Sequence, residues 1–157
     1  MAELTELEEK LAEVLGLAQA AQGLTKKVGG MVEDEEIAGM LERMHAEAAE
    51  TEERCTRLAD ELDGKKTALQ EKARETKQEA EAMQKDYLGD DADALDGLEF
   101  MIMAEAGELG HVEIVGAMNE QAGEEKVREL IEWAQPIQQR HFDDTRKAAL
   151  RLAKQEA

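Results

Sequence analysis

The stretch KKTALQEKARETKQEAEAMQKDYL, residues 65–88, decides how this chain folds. Ala, Glu, Gln and Lys dominate it, neither Pro nor Gly interrupts it, and these are good helix formers. Its apolar positions, Leu69, Ala73, Ala80, Met83 and Tyr87, form one thin stripe, so the pattern predicts a helix with most of its surface in water. Gly89-Asp90-Asp91 breaks it. At the α-helical rise such a segment spans roughly 35 Å, the length of a bundle helix beside it. A plain up-down-up-down bundle needs no connection of that length. The stretch therefore predicts two antiparallel hairpins joined by a long helical crossover at about residues 64–92, the ferritin-like arrangement of a four-helix bundle.

The flanking sequence supplies the four bundle helices. Before the crossover, a capping box at Thr5-x-x-Glu8 opens a stripe of Leu4, Leu7, Leu11, Val14, Ala18 and Ala21 that ends at Gly29-Gly30. The acidic run Glu33-Asp34-Glu35-Glu36 suits a helix N-terminus, and Ile37, Leu41, Met44, Ala48, Thr51, Cys55, Leu58 and Leu62 follow at helical spacing as far as Gly64. After the crossover, a helix from near Asp93 presents Leu95, Leu98, Ile102, Glu105, Leu109, Val112 and Gly116, with its end at Gly123. A last helix from about Glu124 presents Val127, Ile131, Ala134, Ile137, His141, Ala148 and Leu152, and Pro136 is expected to kink or split it. Residues 1–157 thus read as one all-α domain.

Composition narrows the function. A formal charge of −19 excludes nucleic acid as a partner and argues against anionic membranes, because both need a basic surface. The same field attracts cations. Cys55 stands alone, no apolar run reaches membrane-spanning length, and the N-terminal MAELTELEEK is acidic where a signal peptide is basic; a cytoplasmic protein is expected. Phosphate-binding Gly loops, Cys-x-x-Cys pairs and nucleophile elbows are lacking. Cys55 on an apolar stripe reads as an inert core thiol, and Met101, Met103 and Met118 as gap-filling core.

Chemistry is expected where polar residues intrude on apolar stripes. Glu105 and His141 each do so, and each lies eighteen residues from Gly123. Antiparallel pairing about a turn at that glycine puts them face to face at one height. A buried carboxylate needs a partner, a proton or a metal. Glu108-x-x-His111 stands one turn along, with the spacing by which carboxylate bundles present a bridging carboxylate and an imidazole from one helix. Asp144 follows His141 by three residues, and Gly107, Gly110 and Pro136 weaken the helices nearby. From the first hairpin the second helix offers His45, Glu47, Glu50 and Glu52, with Glu42-x-x-His45 as a further match, and the first offers Glu13, Gln19 or Gln22.

The layout resembles the ferritin-like superfamily, and within it a stress-associated bacterial family of unknown function. Glu50-Thr51-Glu52-Glu53-Arg54-Cys55-Thr56-Arg57-Leu58 is similar to that family's Glu-Thr-x-x-x-x-x-Arg-Leu stretch, and His111-Val112-Glu113-Ile114 with Gly116 is similar to its His-Tyr-Glu-Ile segment. The resemblance implies His111 as a metal ligand and Glu50 as a candidate. The chain departs from the pattern at Val112, where the family has Tyr, at Glu53 and Arg54, and at Gln138, where a Glu would complete a second Glu-x-x-His. The number of ions is open between two, one and none.

Two functions follow as expectations. The first is a ferritin-like protein binding iron or manganese between its helices, through Glu105, Glu108, His111 and His141 with Glu47 or Glu50, in an oxygen- or peroxide-linked redox or stress role. The second is an inert acidic helical module for partner binding or oligomerisation, in which Glu105 and His141 pair with each other; a homo-oligomer fits either.

Overall fold

In the computed structural model, which describes residues 2–157, the chain is all-α: five helices, and no strand among the described residues. Thr5 opens α1 (Glu6–Gly29), its hydroxyl oxygen accepting the Glu8 N–H at 3.2 Å. The Glu8 carboxylate does not return to complete the expected capping box. It accepts instead from Lys65 Nζ at 2.6 and 2.9 Å, tying the start of α1 to the start of α3 (Lys66–Tyr87). Asp34 caps α2 (Glu35–Asp60) by accepting the Ile37 N–H, which holds its carboxyl below the usual range. A full capping box of Asp93 and Asp96 opens α4 (Ala94–Ala122). The last helix, α5 (Glu125–Glu156), runs unbroken through Pro136, so the expected split does not occur. No described helix is long and apolar enough to cross a membrane.

Two apolar clusters fix the helix directions. One gathers Leu11 and Leu15 of α1, Cys55 of α2, Leu69 of α3, Val115 of α4 and Val127 of α5. The other gathers Val28, Ile37, Leu88, Leu98 and Ala148. From the first cluster to the second, α1, α3 and α5 run with the chain and α2 and α4 run against it. Residues 66–87 therefore return along the other helices, and α2 and α4 point the same way. Burial of Cys55 pushes its thiol up to about 12, as suits an inert core position.

The return path depends on Gly16. A Cβ there would stand 2.4 Å from the Ala73 carbonyl oxygen and 2.8 Å from Thr76 Cβ, so only glycine lets α3 lie this close on α1. Gly16→Ala should destabilise by about 1–3 kcal/mol through overpacking, although Ala is the better helix former. Gly39→Ala, with nothing within 4 Å of the added carbon, should stabilise by up to ~1 kcal/mol. Urea melts of both check this. A Gly16→Ala protein as stable as the parent would show that α3 does not rest on α1.

The turn between α4 and α5 sets the register of the site. Gly123 closes α4 in the left-handed region at φ 67°, where glycine is favoured. The buried Asn119 clamps the turn, its amide donating to Glu124 O at 2.9 Å and its carbonyl accepting the Glu124 N–H at 3.0 Å. With the turn fixed, residues equally distant from Gly123 come level.

Candidate functional site

Glu105 on α4 and His141 on α5 meet in the core as the register requires. They are 1% and 4% exposed, and His141 Nδ1 lies 3.8 Å from Glu105 Oε2. That gap is beyond hydrogen-bond reach. The closer donor to Glu105 is Gln138, whose amide gives one hydrogen bond to Oε2 at 2.5 Å and another to the Glu105 backbone oxygen at 3.4 Å. Gln138 thus holds the carboxylate that a Glu at this position would repel.

Glu108 is the third member. Its carboxyl stands next to that of Glu105, one helical turn away, and it lines a central cavity of about 10 Å³ shared by α1, α2, α4 and α5. That is room for one water-sized sphere. Burial raises both carboxyls above their ordinary value, Glu108 well above it. For Glu105, burial outweighs the attraction of His141 and the bond from Gln138. For Glu108 the neighbouring Glu105 adds to the rise. Glu105 is buried and Glu108 half-buried, and two adjoining carboxyls that are both raised share a proton between them.

The opposite edge of His141 is fixed by α2. Its Nε2 lies 3.0 Å from Glu47 Oε1, and Glu47 also accepts from Arg140 at 3.0 and 2.5 Å. Burial alone would raise the Glu47 carboxyl; Arg140 and His141 together bring it below its ordinary value. A carboxylate fixed on Nε2 turns Nδ1 toward the Glu105–Glu108 pair. The layer reads, in order, Arg140, Glu47, His141, Glu105 and Glu108.

Two predicted site residues stand apart from it. His111 lies at the rim, its Nδ1 2.8 Å from the Gly107 carbonyl and its Nε2 3.3 Å from Glu13 of α1. The three-residue step from Glu108 carries it round the helix out of the core face. Glu50 is exposed and paired with Arg54 at 3.0 Å. His45 is fastened to the Gln22 backbone oxygen at 2.9 Å, and Asp144 faces Arg43 at 3.6 Å. Sequence reasoning missed Arg140; its adjacency to a core histidine was the one available signal.

No family model, no curated protein and no solved structure matches the chain. The geometry itself must carry the functional reading.

Whether the layer fits a metal ion turns on donor spacing. Two donors each ~2.1 Å from an ion lie up to ~4 Å apart, and the 3.8 Å between His141 Nδ1 and Glu105 Oε2 falls within that span. Among the described residues no three His, Cys, Asp or Glu side chains are already gathered for an ion, so Glu108 has to turn from its shared proton to join. A second ion finds no carboxylate from α1 in the layer, since Glu13 is engaged by His111 and Lys10.

Proposed function

We propose that the chain is a ferritin-like bundle of α1, α2, α4 and α5 with α3 as the crossover, and that it binds one iron or manganese ion in the Glu105–His141 layer. The helix directions support the first part. The second rests on one observation: His141 presents Nδ1 to Glu105 across 3.8 Å while its Nε2 is held by Glu47. That matches the protein half of a carboxylate–histidine–metal arrangement, in which an outer carboxylate orients the imidazole and raises its basicity. Glu105, Glu108 and His141 would hold the ion, Glu47 and Arg140 would position His141, and Gln138 would steady Glu105. Three protein donors leave coordination positions open, through which bound iron or manganese would supply the oxygen- or peroxide-linked redox chemistry. His111 and Glu50 have no part in this reading.

Thermal melts test it. A ligand that binds only the folded state at one hundred times its Kd stabilises by about 2.7 kcal/mol, which in a chain of this size raises Tm by roughly 5–10 °C. Manganese(II), or iron(II) under anaerobic conditions, should produce that rise over chelator, and His141→Ala should lose it. A midpoint indifferent to both metals would leave the inert polar layer, which the Arg140–Glu47–His141 ion pairing favours, as the better account.

A further inference from the structure

Because α3 rests on α1 and stands off from α4, a groove of about 260 Å³ opens between α3 and α4 with α1 as its floor. Small residues make the space from all three sides: Ala20 and Ala21 of α1, Ala80 of α3, and Ala104 and Gly107 of α4. A Cβ added at Gly107 meets nothing within 4 Å, so a larger side chain there has room to enter the groove. Apart from Gln84 of α3, the rest of the wall is apolar, chiefly Leu17, Leu24 and Phe100. Met83 and Met103, 65% and 49% exposed, form flexible lips that can adapt to a guest. Glu108 and His111 supply polar groups at the end nearer the middle of the bundle.

We infer that this groove binds an uncharged, largely apolar molecule of one to two rings, with a single hydroxyl placed at Glu108. The volume exceeds the ~150 Å³ that admits benzene and falls just short of the ~300 Å³ at which drug-sized pockets begin. An anionic head is disfavoured by the field of a chain of net charge −19. A cationic head would be desolvated against a wall with little polar surface. One hydroxyl can be satisfied at Glu108, whose carboxyl oxygens offer further lone pairs, since both ring nitrogens of His111 already have partners. The inference stands without the ion: the groove lies outside the Glu105–His141 contact, and only Leu17 and Glu108 border both it and the central cavity.

The test uses the full chain in chelator with 1-naphthol as the probe, followed by calorimetry, so that metal binding, titrated separately, can fail or succeed on its own. A single saturable site is expected, with 1-naphthoate at least ~10-fold weaker, the equivalent of ~1.4 kcal/mol. Gly107→Leu adds helix propensity while filling the groove, and Ala80→Leu fills it from α3. Each should weaken naphthol at least ~10-fold while circular dichroism stays that of the parent. Naphthoate binding as tightly as naphthol, or parental naphthol affinity in both filled variants, would overturn the inference.

Discussion

Glu105→Gln should make the metal-free protein more stable at about pH 8 and change it little at about pH 4, the difference being of order 1–3 kcal/mol. The sign follows from the raised carboxyls. Glu105 and Glu108 titrate near 4.5 when free and higher in the folded protein. Above 4.5 the folded protein therefore retains protons that the unfolded chain has released, and stability falls as pH rises through the folded values. Gln removes the charge at nearly constant volume, and its amide oxygen can still accept from Gln138. The competing effect is the loss of attraction to His141, but that pair is 3.8 Å apart and burial already outweighs it. Glu47 acts oppositely. Its carboxyl is depressed, so its contribution is present above 4.5 and is lost as pH falls through the folded value. Denaturant melts across this range should show an acid limb surviving in the variant and a falling neutral limb that flattens. A variant less stable than the parent at every pH would mean that Glu105 and His141 form a stabilising ion pair, and the shared-proton picture would fail.

The helices were legible in the sequence because their signals are local. Thr5, Asp34, Asp93 and Gly123 cap or close helices in the structure, and the apolar spacing named most of the core. Glu105 opposite His141 was legible too, since one short turn fixes the register of two long helices. What the sequence could not yield was side-chain direction around a helix. Glu108 and His111 share a spacing that looks like a chelating pair, yet one turns inward to Glu105 and the other outward to Glu13. Glu47 and Glu50 are likewise one turn apart on α2, and only Glu47 faces α5. Such choices depend on which neighbour lies across the interface, as Arg140 does for Glu47. The unbroken α5 has a similar reason: Pro136 lies within a helix packed against α4 and α2, and tertiary contacts can hold a helix together through a proline that local propensity disfavours.

Binding stoichiometry tests the central claim most directly. Equilibrium dialysis against manganese(II), and against iron(II) without oxygen, should give about one ion per chain with release of protons, since the ion displaces the proton shared by Glu105 and Glu108. Replacing Glu105 by Gln or His141 by Ala removes a donor and should weaken binding by at least ~10–100-fold, the loss typical of disturbing even an outer partner of a metal site. His111→Ala and Glu50→Ala should bind as the parent does. A chain that takes up neither metal, or one whose binding is lost with His111 or Glu50 and kept without Glu105 and His141, would contradict the account.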